Sequence, residues 1–234
     1  MSNYTAEQIQ LINKTTTEFY SSVAESFSET RQHEWEGWNK CLPYLKDGDS
    51  VLDLGCGNRR FSKFLEENDL NVKVDNQDNF AWDEKVKEVD IIESLLNDRL
   101  ILDSYDVAVC FGVMHHIPTS DLRRKLLAEL CKSKIAIVSF WQFEKDERIF
   151  NKAKETTKLA QEKLGLQNLE ENDYFLSWKG RKDTFRFCHN FTDKEIDDLK
   201  SEYKTIEEYS ADKCNKYLIM KNMQLLLNWL IVER

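Results

Sequence analysis

The fold is decided by Ser50-Val-Leu-Asp-Leu-Gly-Cys-Gly-Asn-Arg-Arg-Phe61. Val51, Leu52 and Leu54 form a short apolar run, the pattern of a strand buried on both faces of a parallel sheet. Asp53 falls near its carboxyl end, and Gly55 and Gly57 follow. From Arg59 onward Phe61, Phe64 and Leu65 share one face of a helix. Strand, glycine turn and helix is how open α/β sheets build a ligand crevice at the carboxyl ends of their strands. The glycines let the backbone turn tightly and approach a ligand without Cβ interference.

Outward from this stretch, strands and helices alternate. Upstream, Ile9, Ile12, Phe19, Val23 and Phe27 predict a helix over about residues 5–27, and the polar, Trp-containing segment 28–38 reads as a lid or collar. Downstream, Asn71-Val-Lys-Val-Asp75 is read as the second strand and Glu88-Val-Asp-Ile-Ile92 as a weaker third. Tyr105-Asp-Val-Ala-Val-Cys-Phe-Gly112 is the clearest central strand and runs into Val113-Met-His-His-Ile-Pro118. A helix follows over about 120–132, then a buried strand to Trp141. This alternation predicts a parallel sheet covered on both faces. Beyond Trp141 a charged helix over 143–164 stops at Gly165, a hairpin over 173–191 turns at Lys179-Gly180, and Thr192-Asp-Lys-Glu195 is a capping box. Residues 203–209 and 216–220 are closing strands; the apolar stretch 224–232 is left open between strand, helix and docking element.

The chain has 234 residues, 41% hydrophobic and 12% aromatic, enough for one large domain with a sizeable core. No apolar run approaches the ~20 residues of a membrane span, and the N-terminal residues lack signal-peptide character. A soluble, cytoplasmic protein is expected. The six cysteines include no C-x-x-C pair, so reduced thiols are expected and no metal site is read from their spacing. A net charge of -9 argues against generic nucleic-acid affinity without excluding a local basic patch.

The glycine turn admits two main cofactor classes. A dinucleotide fingerprint requires G-x-G-x-x-G, and here Arg60 occupies the final position. An acid two residues before the first glycine suits S-adenosyl-L-methionine, whose ammonium Asp53 would complement; Gly55, Cys56 and Gly57 form the turn itself. Asp75, at the end of the second strand, is the candidate for ribose hydroxyls, and Asp90 for the adenine amino group. Phe111 and Gly112 close the central strand beside the reacting end. His115 and His116 follow, where a substrate would lie, as hydrogen-bonding groups or a base. Trp178, Phe185 and Phe187 interleave with Lys179, Arg181, Lys182 and Arg186 on the hairpin, a pattern able to stack bases and contact phosphate. Trp141 is read as lining the pocket, and Arg31 as a partner for a carboxylate of cofactor or substrate.

The set Val51-Leu-Asp-Leu-Gly-Cys-Gly57, Val74-Asp75 and Tyr105-Asp-Val through His115-His116 resembles the class I S-adenosylmethionine-dependent methyltransferases over roughly residues 50–141. Segments 19–31, Ser139-Phe-Trp-Gln-Phe143 and Arg186-Phe-Cys-His-Asn-Phe191, together with the histidine pair, are similar to the tRNA wobble-uridine carboxymethyl methyltransferases. The resemblance implies a Rossmann-like, doubly wound, mostly parallel seven-stranded sheet with an N-terminal helical collar and an inserted hairpin. On it the chain is one methyltransferase domain: collar 1–48, cofactor-binding core 49–142, and a C-terminal half 143–234 carrying a substrate-side insertion at 165–192. It implies methylation of a carboxymethyl group on the tRNA anticodon loop, with His115, His116 and His189 at the reacting centre and Trp141, Arg186 and Trp178 toward substrate. A small activator protein is an implied partner. The family pattern calls for a third glycine at position 59, and this chain has Arg59. A small-molecule methyltransferase and a non-catalytic protein that has lost its cofactor remain the alternatives.

Overall fold

A computed structural model describes residues 4–30, 33–178, 181 and 183–222, without the side chains of residues 25, 27, 28 and 222. In chain order its elements begin with α1 (Ala6–Glu29), a 3-10 segment (Glu36–Tyr44), β1 (Ser50–Leu54), α2 (Arg60–Glu67), β2 (Lys73–Asp78), β3 (Val86–Glu88) and α3 (Ile91–Leu96). β4 (Val107–Cys110), α4 (Ser120–Leu130), β5 (Ile135–Trp141), α5 (Glu147–Leu164), β6 (Asp173–Leu176) and β7 (Arg186–His189) follow. α6 (Asp193–Lys200), β8 (Tyr203–Ala211) and β9 (Asn215–Asn222) complete the described chain.

Seven strands form one sheet in the order β3-β2-β1-β4-β5-β9-β8. The pairs among β1 to β5 are parallel, whereas β9 runs antiparallel to both β5 and β8. This is a doubly wound, Rossmann-like sheet with an antiparallel pair of strands at one edge. The sheet is covered on both faces, and the two-residue period of β1 shows how. Leu52 and Leu54 enter one core with Ala108, Val138 and the apolar stripes of α3 and α4. Val51 points the other way, into a second core with Val109, Ile137, Phe61, Phe64 and Trp38. Asp53 shares the parity of Val51, so its carboxylate is carried toward the α2 side. The hairpin β6–β7 is a separate antiparallel pair, with Asp173 opposite His189 and Leu176 opposite Arg186.

Two strand assignments shift. The second strand runs to Asp78, not Asp75. The expected third strand is displaced: β3 ends at Glu88, and Ile91 and Ile92 open a helix whose N-cap is Asp90. The Lys179-Gly180 turn, Lys182, Arg31 and the apolar stretch 224–232 lie outside the described residues. All six cysteines are buried and unpaired. Among the described residues, no helix is long and apolar enough to cross a membrane.

Candidate active site

A cavity of about 340 Å³ opens at the carboxyl ends of β1, β2 and β4. Its floor is the glycine turn. Gly55 has φ +79°, and a Cβ there would meet Val113 Cγ2 at 2.0 Å, so the turn tolerates no side chain at this point. Gly57, at φ +52°, has no atom within 4 Å of where a Cβ would sit. Gly55, Cys56 and Gly57 all line the cavity. The backbone N–H groups of Gly55 and Cys56 donate to Gln77 O at 2.7 and 3.2 Å, tying the turn to the end of β2.

Asp53 lies beneath this floor rather than in the cavity wall. It is 2% exposed, and its Oδ2 has no hydrogen-bond partner among the described residues. Burial, with repulsion from Asp78, pushes its carboxyl up to about 7, opposed by the nearby Arg60 guanidinium. A buried carboxylate with an unsatisfied oxygen is costly unless a cation or donor completes it. An ammonium seated on the glycine turn above it supplies the compensating charge. Arg60 lines the cavity, stacks over Trp35 and Trp38, and donates to His33 O at 2.9 Å. The donor set therefore fits a zwitterionic aminoacyl group.

The acid at the end of β2 is Asp78. Its Oδ2 accepts from Gly57 N at 2.9 Å, and its Oδ1 from Phe80 N and Trp82 Nε1 at 3.1 and 3.2 Å. It lines the cavity. Asp75, the expected ribose residue, does not. It sits mid-strand, three residues before the strand end, with its Oδ2 accepting from Tyr105 OH at 2.6 Å and Gln77 Nε2 at 2.7 Å. Asp90 is likewise absent from the wall. It caps α3 through Glu93 N and accepts from the Asn13 amide.

At the other end of the cavity, Phe111, Gly112, His115, His116, Trp141 and Arg186 converge. Gly112 has φ +71°, and a Cβ would press on Trp35 at 3.2 Å. His116 is held at both nitrogens: Nδ1 lies 2.6 Å from Phe187 O, and Nε2 lies 2.7 Å from Tyr20 OH. A carbonyl only accepts, so Nδ1 carries the proton in the neutral ring and Nε2 accepts from the tyrosine. Arg186 Nη1 donates to the same Tyr20 oxygen at 3.1 Å, and its guanidinium lies over the rings of Phe19, Tyr20 and Trp141. His115 packs against Trp141, with ring centroids 4.9 Å apart.

His189 does not reach this site. It is 3% exposed, with Nδ1 at 2.6 Å from Asp173 and Nε2 at 2.6 Å from Glu195. Burial disfavours its charged form, but the hydrogen bonds to the two carboxylates outweigh that and raise its pKa. Tyr4 and Arg123 complete a buried network around these acids. Its role is to tie the hairpin to α6, α4 and the start of α1. Trp178 also lies outside the cavity wall, in the segment after β6. Arg59 has φ +58°, the backbone a glycine would favour, but its guanidinium turns to Asp83, with Nε 2.8 Å from Oδ2, and leaves the cavity clear.

His115, His116 and Cys188 bring three potential ligand atoms within 4.8 Å. Both nitrogens of His116 are already engaged, and the Arg186 guanidinium acts on the Cys188 thiol, so a cation there meets a fixed positive charge. The sequence reading missed Asp78, Arg60, Trp35, Tyr20 and Asn13. Asp78 is signalled by strand register and Arg60 by its place as the first residue of α2. The three N-terminal residues reach the site only through long-range packing.

The family model described as a methyltransferase domain matches residues 27–203. The chain is 26% identical over 153 residues to the tRNA (carboxymethyluridine(34)-5-O)-methyltransferase ALKBH8 of Mus musculus, covering 60% of this chain and 22% of that protein. It is 28% identical over 149 residues to the tRNA (carboxymethyluridine(34)-5-O)-methyltransferase of Schizosaccharomyces pombe, covering 58% of this chain and 61% of the relative. Among solved structures, the 1,6-didemethyltoxoflavin-N1-methyltransferase of Burkholderia thailandensis, bound to S-adenosylhomocysteine, matches 95% of this chain and 92% of its own with a TM-score of 0.57 at 15% identity. With the family model spanning most of the chain and a cavity whose donors fit the cofactor, the chain belongs to the S-adenosylmethionine-dependent methyltransferases of the methyltransferase-domain family.

Proposed function

We propose that the protein methylates the carboxylate of a carboxymethyl-modified uridine in the tRNA anticodon loop. The observation that carries this reading is Arg186, a buried guanidinium lining the reacting end of the cavity, framed by Tyr20 and Trp141. A fixed cation there complements an anionic nucleophile. The relatives named for carboxymethyluridine methylation support the same substrate class.

Bound adenosylmethionine supplies a methyl group on a positively charged sulfur. Asp53 would attract the ammonium end from beneath the floor, Arg60 would pair with the carboxylate, Asp78 would accept from a ribose hydroxyl, and Gly55, Cys56 and Gly57 would form the backbone floor. Phe111, Gly112 and Trp141 exclude water from the reacting end. A substrate carboxylate is ionised at neutral pH and needs no general base. That suits His116, whose nitrogens are both engaged. Arg186 and His115 orient the carboxylate for in-line attack, where positioning is the enzyme's main contribution.

The net charge of -9 favours a second reading, a small-molecule substrate in the same cavity. Mass spectrometry of tRNA nucleosides after incubation with labelled adenosylmethionine separates the two. A labelled methyl ester on carboxymethyluridine is the expected result. Methylation of a metabolite with unmodified tRNA would reverse the assignment.

A further inference from the structure

One wall of the cofactor cavity is supplied not by the strand series but by α1, through Asn13, Thr16, Thr17 and Tyr20. Asn13 is 8% exposed, and its Nδ2 donates to both carboxylate oxygens of Asp90, at 3.0 and 2.9 Å. A carboxylate only accepts, so chemistry fixes the amide with its nitrogen toward Asp90 and its Oδ1 turned away. Among the described residues Oδ1 receives no hydrogen bond, and it is not one of the sealed, unpartnered atoms. Asp90 is itself held: it caps α3 by accepting from Glu93 N at 2.9 Å. The next two residues, Ile91 and Ile92, line the cavity beside Asn79 and Phe80. Ile91 N donates to Asn79 Oδ1 at 3.1 Å, which fixes this corner further.

The order of groups along the strand ends assigns the corner. The glycine turn follows β1, Asp78 ends β2, and the Asn13–Ile91 corner lies beyond β3. An adenosyl group with its aminoacyl end on the turn and its ribose at Asp78 places its base at that corner, between apolar side chains and one amide oxygen. We propose that Asn13 reads the 6-amino group of the cofactor's adenine, its Oδ1 accepting the amino N–H, and that Asp90 is the positioning residue that orients the amide. The proposal rests on the adenosylmethionine reading of this cavity. It also relocates the adenine contact from Asp90, where the sequence placed it, to the residue Asp90 holds.

Calorimetric titration with S-adenosylhomocysteine and with S-inosylhomocysteine, which carries a carbonyl oxygen in place of the amino group, tests it without any turnover. Wild-type protein is expected to bind the adenine compound about 10- to 100-fold more tightly, because the hypoxanthine oxygen opposes Oδ1. Asn13→Ala is expected to weaken S-adenosylhomocysteine about tenfold or more, leave S-inosylhomocysteine within about threefold, and so collapse the preference. Asp90→Ala is expected to give an intermediate preference. If Asn13→Ala weakens both compounds equally and the preference persists, Asn13 only pins α1 to α3 and the proposal is overturned. A wild type without base preference overturns it too, while the cofactor reading stands. Binding of neither compound by folded wild type overturns both. Thermal melting checks each variant, and Asn13→Leu, similar in shape and lacking the acceptor, carries the same comparison if Asn13→Ala does not fold.

Discussion

Replacing Asp78 by Asn is the sharpest perturbation of the cofactor site, because Asp75, three residues away, is its built-in control. Asp78 organises the turn by accepting from Gly57 N, Phe80 N and Trp82 Nε1. Those three donors leave one of the carboxylate's lone-pair positions, on Oδ2, to accept from a ribose hydroxyl. An amide keeps one acceptor oxygen and turns its NH2 either against the Gly57 N–H or toward the ribose. Hydrogen bonds to a charged group contribute about 1.5–3 kcal/mol each. Losing one, with some loosening of the turn, costs about 2–3 kcal/mol, or about 30- to 150-fold in the Kd for S-adenosylhomocysteine. Asp75→Asn weakens the contacts with Tyr105 and Gln77, which lie outside the cavity wall. That variant should lose about 1 kcal/mol of stability, a fall of about 2–4 °C in Tm, with Kd unchanged within about twofold. Calorimetry and thermal melting read the two quantities separately. A larger affinity loss for Asp75→Asn than for Asp78→Asn would refute the assignment of the ribose acid to the strand end.

Three further outcomes follow from the buried charges and the backbone. Asp53 titrates at about 7 in the fold against an ordinary 3.8, so the stability tied to its proton is full below about pH 4 and is lost as pH rises through 7. The ligand-free Tm should therefore fall between pH 5 and 7.5, saturating S-adenosylhomocysteine should flatten the fall, and Asp53→Asn should abolish it; a slope unchanged in Asp53→Asn assigns the titration elsewhere. His189→Gln removes the ring whose two nitrogens bridge Asp173 and Glu195 and should cost about 3–5 kcal/mol, lowering Tm by about 10 °C while leaving cofactor affinity within about threefold; a selective loss of methyl transfer with unchanged Tm would return His189 to the active site. Arg59→Gly relieves a left-handed residue worth about 1–2 kcal/mol but adds chain entropy of about 0.5–1 kcal/mol, so Tm should rise slightly and Kd should hold within about threefold. A tenfold gain in cofactor affinity would mean that the arginine intrudes on the site.

The strands that a sequence reveals are those whose burial leaves no choice of residue. β1, β4 and β5 are central, buried on both faces, and read as apolar runs. β2 is Lys-Val-Asp-Asn-Gln-Asp, only partly buried, and nothing in its composition marks its last residue. Register does: Leu54 pairs with Gln77, so the next residue, Asp78, and not Asp75, is level with the glycine turn. β3 is short and polar, and its expected span lost Ile91 and Ile92 to a helix because Asp90 caps it. A similar parity argument separates Arg186 from His189. Three residues apart on a two-residue period, they point to opposite faces of β7. Arg186 faces the cavity, and His189 faces the buried acids. No local pattern could place α1 at the site, because its contacts span 77 residues from Asn13 to Asp90, 96 from Tyr20 to His116 and 171 from Thr16 to Phe187.

Those long-range contacts bear directly on which chemistry the site can perform. Arginine only donates and a carbonyl only accepts, so the roles along Arg186, Tyr20, His116 and Phe187 O are fixed from both ends. Tyr20 accepts from Arg186 and donates to His116, and His116 donates to the hairpin backbone. For His116 to take a proton from a substrate hydroxyl or amine, Nε2 must exchange its bond to Tyr20 for one to the substrate, and Tyr20 must find another acceptor. An ionised carboxylate asks for no such rearrangement. It asks for a fixed cation at the reacting end, and the same relay holds Arg186 there while tying the hairpin to α1. A substrate that arrives already charged is thus the one for which this hydrogen-bond order is preorganised.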